Sequence, residues 1–383
     1  MVYEQDQNKE CKICGLKDVT ISKVLSVCVN CIRENPEQAN KLIIDAHKYV
    51  RKFHNMEASP PKTAFGIPCN LCSNECIIGE GEKGFCGLRK VINGKISTFS
   101  NATNGILHTY SESHVTNCCA SWFCPGGTGN GHPSYACMNH EPEYGYTSLA
   151  VFMYGCNFDC LFCQNSSHKN IEDGDIITSR DLANEALSNH KYTCVCYFGG
   201  SPEPQLPFVL NISRKIIESA SARRIMRICF EWNGCGKPEL VKEAAEISLK
   251  SGGNIKFDLK SFNSTLSLAL SGVSNEMAYS NFEMIAQEFY KRRADLPLLT
   301  ATTLLVPHYV DVAEIKSIVK FISEINDEIP YSLLIFHPDY FMGDLPITPR
   351  KQVEECFSIA KKHLKNVHLG NTHLLGLSES NII

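Results

Sequence analysis

No apolar run in this 383-residue chain approaches the ~18 residues that a membrane-spanning helix needs. A helical membrane protein is therefore not expected. The first residues, Met1 to Glu10, are polar and lack the apolar centre of a signal peptide, so the expected location is cytoplasmic. An excess of one charge is also missing. The chain has 37 Lys and Arg against 41 Asp and Glu, a formal net charge of −4, which argues against a general nucleic-acid surface. The glycine stretch Pro125-Gly126-Gly127-Thr128-Gly129-Asn130-Gly131-His132 lacks the G-x4-G-K-[ST] pattern of a phosphate loop and reads as a flexible turn near an active site.

Cysteine, by contrast, is abundant. There are 20, and in a long chain without an export signal they point to metals or redox chemistry rather than disulfides. Twelve precede residue 140, which divides the chain into a cysteine-rich front and a body. Cys11, Cys14, Cys28 and Cys31 form two C-x2-C pairs, each able to clamp one side of a tetrahedral ion. The spacing suits a zinc ribbon, with a rubredoxin-like iron site as the rival. So short a segment buries little core, so the metal would supply its folding energy. Asn35 and Pro36 then open a helix, with Gln38 completing a capping-box-like pattern. Its stripe of Ala39, Leu42, Ile43, Ala46, Tyr49, Val50 and Phe53 is expected to pack on the body. Residues 1–60 are read as ribbon and helix, followed by a linker at Ala58 to Lys62.

Residues 61–140 hold two further groups. Cys69, Cys72, Cys76 and Cys86 suit a metal centre, either zinc or an iron–sulfur cluster. Cys118, Cys119, Cys124 and Cys137 are less ordered in spacing, and His132 or His140 could join them around another metal.

From Leu149 onward, strand and helix patterns alternate. Strands are expected at 149–154, 193–198, 225–231, 254–259, 298–305 and 331–336, with helices near 179–190, 204–220, 238–250, 275–292 and 311–325. Such alternation builds a parallel sheet with helices outside, and function gathers at the C-terminal strand ends. The apolar run Leu149 to Tyr154 is stopped by Gly155, and the loop beyond it carries Cys156, Cys160 and Cys163. Thiolates favour zinc, copper(I) and iron–sulfur clusters. A structural zinc site wants a fourth ligand nearby, and the next cysteine is Cys194. Three thiolates can instead hold three irons of a [4Fe–4S] cube and leave the fourth open.

This C-x3-C-x2-C loop resembles the radical S-adenosylmethionine (radical SAM) superfamily. The fuller text, Gly155-Cys156-Asn157-Phe158-Asp159-Cys160-Leu161-Phe162-Cys163-Gln164-Asn165, is similar to the pyruvate formate-lyase activating enzymes and the AmmeMemoRadiSam-type proteins. The segment from Cys69 to Gly87 also resembles the latter group. The resemblance implies a partial (β/α)6 TIM-like barrel over 141–375, with a tail at 376–383. It implies a [4Fe–4S] cluster whose open iron binds SAM and whose electron yields a 5′-deoxyadenosyl radical.

Carried over by motif, Gly199, Gly200 and Ser201 would meet the SAM amino group, although the family usually has an acid in the Ser201 position. Glu231, Asn233 and Asp258 would line the SAM site, where a monovalent cation can sit. Trp232 stands where threonine is usual. Lys260 would face the SAM carboxylate, and His337 would reach SAM from a later strand end. His308 replaces the glycine of a V-P-G motif. Cys194, Cys196, Cys229 and Cys356 read as small core residues. The ribbon favours a protein or peptide substrate, and a flavodoxin or ferredoxin is the expected reductase partner. A small-metabolite substrate and a non-enzymatic electron-transfer or docking protein are the alternatives. Residues 1–60 lie outside the resemblance, so their deletion is expected to leave SAM cleavage largely intact.

Overall fold

The computed structural model describes residues 9–115, 118–220, 224–293 and 295–376. Apart from Gly376, the expected tail at 376–383 lies outside the described residues. The ribbon has β1 (Lys9–Glu10) and β2 (Lys17–Asp18), then helices α1 (Val29–Glu34) and α2 (Pro36–Phe53). Two small hairpins follow, β3 (Ile67–Pro68) with β4 (Ile77–Ile78) and β5 (Arg89–Ile92) with β6 (Lys95–Thr98). Next come β7 (Asn104–Ser113), the single turn α3 (Pro125–Thr128), β8 (Thr147–Met153), β9 (Asp175–Thr178) and α4 (Ser179–Ser188). The chain then runs through β10 (Tyr192–Gly199), α5 (Leu206–Ser219), β11 (Arg227–Trp232), α6 (Pro238–Ser251) and β12 (Ile255–Asp258). It ends with α7 (Ser264–Ser271), α8 (Glu276–Phe289), β13 (Leu299–Leu305), α9 (Val312–Ile325), β14 (Tyr331–Ile335), α10 (Arg350–His363) and β15 (Val367–Gly370).

One nine-stranded sheet forms the body, in the order β15-β14-β13-β12-β11-β10-β8-β7-β9. Pairing is parallel from β8 to β15, with β7 antiparallel to both β8 and β9 at one edge. This is the partial α/β barrel expected from the alternating pattern. It is extended by β15 at one side and by β7 and β9 at the other.

Period-2 alternation sorts the strand residues. On β11, Ile228, Phe230 and Trp232 face the helices, and Arg227, Cys229 and Glu231 line the interior. The Trp232 ring extends an outer aromatic ladder, 5.1 Å from Phe230 and 5.6 Å from Phe257. The departure from threonine is therefore filled on the helix side.

The front of the chain shares the hydrophobic core of the barrel. Asn35 caps α2 without a side-chain bond. The α2 stripe is also rotated from the expected one. Ala39, Ile43, Ala46 and Val50 are buried, as are His47 and Arg51, whereas Tyr49 and Phe53 lie outside and meet the edge of Phe341. The ribbon docks on the loops after β13 and β14. Arg33 pairs with Asp311 at 2.7 Å, Lys9 with Asp344 at 2.7 Å, and the Val27 carbonyl accepts from the Tyr309 hydroxyl at 2.9 Å. His308 takes φ 67°, the left-handed conformation that favours glycine, and its Nε2 accepts the Val29 N–H at 3.2 Å. No helix among the described residues is long and apolar enough to cross a membrane.

Candidate active site

The loop after β8 leaves the C-terminal end of the sheet and places Cys156, Cys160 and Cys163 on the wall of a cavity of about 710 Å³. Each of the three sulfurs has a polar partner. The Phe158 N–H points at Cys156 Sγ at 3.3 Å, Ser271 Oγ lies 3.4 Å from Cys160 Sγ, and His168 Nε2 lies 3.7 Å from Cys163 Sγ. Burial holds the Cys156 and Cys163 thiols above their ordinary value, the latter at about 11. Three thiols on one loop, facing open volume, fit a cluster with one iron left free.

The loop is held from below by a buried charge network. Asp159, between the cysteines, is fully buried and meets His47 Nδ1 at 2.8 Å, Lys169 Nζ at 2.5 Å and Arg51 at 3.5 Å. Burial raises the Asp159 carboxyl, but Lys169, His47 and Arg51 outweigh it and hold it well below the carboxylate range. Asp159 had not been singled out in the sequence. The available signal was one acid inside an otherwise apolar, thiol-bearing loop, with two bases at i, i+4 spacing on α2. The segment around Cys69 to Cys86 also braces this end. Asn74 Nδ2 donates to the Asn157 carbonyl at 2.7 Å, and Ser73 N–H to the Cys235 carbonyl at 2.9 Å.

Gly199, Gly200 and Ser201 line the same cavity. A Cβ at Gly200 would fall 2.3 Å from the Gly155 carbonyl oxygen, and one at Gly199, with φ 105°, would meet the Met153 nitrogen at 2.8 Å. These two glycines let the β10 end press against the cysteine loop. Ser201 donates to the buried Glu203 and accepts from Asn233 Nδ2 at 2.9 Å, and Asn233 also reaches Asn157 Oδ1 at 2.8 Å. Glu203 in turn accepts the Gly234 N–H at 2.7 Å. The hydroxyl that replaces the usual acid is thus tied into the wall.

Across the cavity runs an alternating row of charge. Lys256 Nζ lies 2.9 Å from Glu231 and 3.2 Å from Asp258, and Lys260 Nζ lies 3.3 Å from Asp258. Burial raises the Asp258 carboxyl, but Lys256 and Lys260 more than reverse this and hold it below its ordinary value. Burial lowers Lys260, while Asp258 and Cys160 raise it above the usual lysine range, and it stays charged. Lys256, not foreseen from the sequence, occupies the interior position between the two expected carboxylates.

His337 requires correction. Past Ile335 the Phe336 N–H turns to the Thr348 hydroxyl at 2.8 Å, which swings His337 outward. Its side chain is 54% exposed, paired with Asp339 at 3.7 Å, and absent from the cavity wall. The histidines on that wall are His114, His168, His368 and His373. Cys194, Cys196 and Cys229 also need correction. They share the inner face with Arg227 and Glu231 and line the cavity rather than the apolar core. Cys356 is buried in the core. His132 Nδ1 lies 3.1 Å from the Ala136 carbonyl and His140 Nδ1 3.3 Å from Asn130 Oδ1, and among the described residues neither closes with Cys118, Cys119, Cys124 or Cys137 into a three-ligand group within 4.8 Å.

Among the described residues, the only group of three or more His, Cys, Asp or Glu with all ligand atoms within 4.8 Å is Cys11, Cys14, Cys28 and Cys31. The Cys14 to Cys28 sulfur distance is 3.7 Å. That matches the edge of a tetrahedron with Zn–S bonds of ~2.3 Å, which is about 3.8 Å. Cys69, Cys72, Cys76 and Cys86 do not close to that spacing.

Residues 150–322 match the family model of the radical SAM superfamily, a domain that implies a [4Fe–4S] cluster and SAM. An uncharacterized protein of Methanocaldococcus jannaschii is 27% identical over 317 residues, covering 80% of this chain and 81% of that one. The isethionate sulfite-lyase activating enzyme of Desulfovibrio desulfuricans is 31% identical over 178 residues, covering 44% of this chain and 51% of its own. The structure of Streptococcus suis SuiB bound to S-adenosylmethionine aligns with a TM-score of 0.43 and 18% identity, over 58% of this chain and 50% of that one.

Proposed function

We propose that the protein is a radical SAM enzyme that abstracts hydrogen from a protein or peptide substrate. When bound at Cys156, Cys160 and Cys163, the cluster supplies the electron that cleaves SAM to methionine and a 5′-deoxyadenosyl radical. The observation that carries this reading is convergence. The three cysteines, Gly199, Gly200 and Lys260 come from separate strand ends and line one cavity.

The chain's own residues bind, orient and exclude. Lys260 stays charged beside Asp258 and offers a cation for the SAM carboxylate. Ser201, Asn233 and Asn157 fix the wall around Gly200, and backbone carbonyls there can accept from the SAM amino group. Glu231 and Asp258 are both paired to Lys256, so a monovalent cation beside them would compete with an ammonium already in place. Phe162, Phe198 and Leu304 add apolar wall, which limits water around a radical.

A protein or peptide substrate is supported by the likeness to an activating enzyme and by the ribbon, which sits on the strand-end loops beside the cavity. The ribbon cysteines are proposed to hold zinc, and Cys69, Cys72, Cys76 and Cys86 an iron–sulfur cluster or zinc. A flavodoxin or ferredoxin is the proposed reductant. The test is anaerobic reconstitution followed by reduction with SAM present. Production of 5′-deoxyadenosine that disappears when Cys156, Cys160 and Cys163 become alanine is the expected result. Undiminished production in that variant would remove the assignment.

A further inference from the structure

Cys194, His114 and Glu143 form a linked row at the cavity wall, away from the triplet. Cys194 sits in the N-terminal half of β10 and borders the open volume beside Ser148 and His114. His114 directly follows β7, and its backbone N–H donates to the Tyr146 carbonyl at 3.0 Å. Its Nε2 lies 3.4 Å from Cys194 Sγ, and its Nδ1 lies 3.3 Å from Glu143 Oε2. A thiol, a base within hydrogen-bond reach and a third group that orients the base make up the arrangement of an activated nucleophile.

Glu143 is held in place beside the ring. It is fully buried and accepts from Arg227 at 2.8 and 2.7 Å, from Thr193 Oγ1 at 2.7 Å and from the Cys137 N–H at 2.8 Å. With Cys194 a thiolate and His114 an imidazolium, two anions meet two cations and no buried charge is left unpaired. Burial lowers His114, but Cys194 and Glu143 outweigh it and raise the ring to about 9. Burial raises the Cys194 thiol, but His114, Arg227 and Ser148 reverse this and hold it below its ordinary value. Cys118, Cys119, Cys124, Cys196 and Cys229 line the same wall, and burial holds each of them above the ordinary thiol value. Cys194 thus differs from its neighbours because it has a histidine partner.

We propose that Cys194 is a nucleophilic thiolate, paired with His114 and oriented through Glu143, that adds to an aldehyde or ketone group presented in the cavity. A sulfur lone pair forms the bond to the carbonyl carbon, and the C=O π pair moves to the oxygen. That oxygen takes the proton from His114 Nε2. The products are a neutral hemithioacetal and a neutral imidazole, and Glu143 remains paired with Arg227. This addition needs no oxidant and no leaving group. The two groups it does need, a thiolate and a proton donor, stand side by side. Cys194 lies five residues before Gly199, about 16 Å along the strand from the end that meets the triplet loop. A molecule tethered at Cys194 would extend from there toward the triplet. The proposal does not rest on SAM cleavage.

The test labels the full, anaerobically reconstituted chain with iodoacetamide and reads each cysteine by mass spectrometry. Labelling of Cys194 should stay level between about pH 7 and about pH 8.5, where an ordinary thiol rises nearly tenfold per pH unit. Besides the thiols of Cys124, Cys196 and Cys229, the titratable or charged groups facing the pair are Glu112, Glu143 and Arg227. His114→Gln should restore the ordinary rise. Propanal should slow labelling at Cys194, and propan-1-ol should not. A Cys194 that takes no label, or whose rate climbs with pH as an ordinary thiol's does, overturns the ion pair. Equal protection by propanal and propan-1-ol overturns the carbonyl addition. The pH profile and the propanal comparison are made on the unsubstituted chain, so they decide the matter even if His114→Gln fails to fold.

Discussion

His47 Nδ1 lies 2.8 Å from Asp159 Oδ2, joining helix α2 of the front segment to the loop that carries the cysteine triplet. The front of the chain is therefore a structural support of the candidate active site, whatever else the ribbon recognises. This changes what its deletion should do.

Deleting residues 1–60 should sharply lower the iron retained at Cys156, Cys160 and Cys163, against the expectation from sequence alone. Asp159→Ala strands Lys169 and Arg51 as buried charges, and breaking a buried pair costs about 3–5 kcal/mol. Iron content and thermal melting of Asp159→Ala and His47→Ala check this. Wild-type values in both would reduce the contact to packing.

Lys260→Ala should weaken SAM binding. Loss of a charge-assisted hydrogen bond costs about 1.5–3 kcal/mol, which is roughly ten- to a hundredfold in Kd. Iron content should not change. Asp258→Ala should also weaken binding, since Asp258 positions Lys260 at 3.3 Å. Calorimetry of SAM binding to the reconstituted protein reads both, and unchanged Kd values would remove Lys260 from the SAM site.

Glu203 makes stability depend on pH. Burial pushes its carboxyl up to about 7 from 4.5, with Ser201 and the Gly234 N–H only partly opposing it. The folded state therefore holds a proton that the unfolded state has lost. Its stabilising share is complete below about pH 4.5 and is lost as pH rises through about 7. A shift of that size corresponds to about 3 kcal/mol. Glu203→Gln should flatten the melting temperature across this window, and a slope equal to wild type would contradict the assignment.

Removing zinc from the ribbon should release one metal per chain and lower the melting temperature while the barrel's far-UV signal persists. The ribbon is tied to Asp311, Tyr309 and Asp344 by polar bonds and adds its few apolar residues to one edge of the shared core, most of which the barrel's own strands and helices supply. Cys14→Ser should act in the same direction. If chelation unfolds the whole chain in one step, ribbon and barrel are a single cooperative unit.

Local spacing made much of this protein legible. The two C-x2-C pairs, the C-x3-C-x2-C loop and the β-α alternation are set by neighbours within a few residues, and chain geometry fixes how such residues meet. Strands β8, β10, β11, β12, β13 and β14 accordingly fall within about two residues of their expected positions. Period 2 also says that Cys194 and Cys196 share a face, but not whether that face meets helices or a cavity. Only the curvature of the open sheet, with the segment around Trp122 lying against its inner face, decided that. Likewise, nothing local announces that His47 will meet a carboxylate 112 residues away. Nor does a strand-end histidine reveal which way the chain turns, and at Phe336 a single bond to Thr348 sends His337 to solvent. Sequence fixed the kinds of ligand and their local spacing, because those depend on short chain segments. Tertiary packing decided which ligands face one another, because that depends on contacts between residues far apart in the chain.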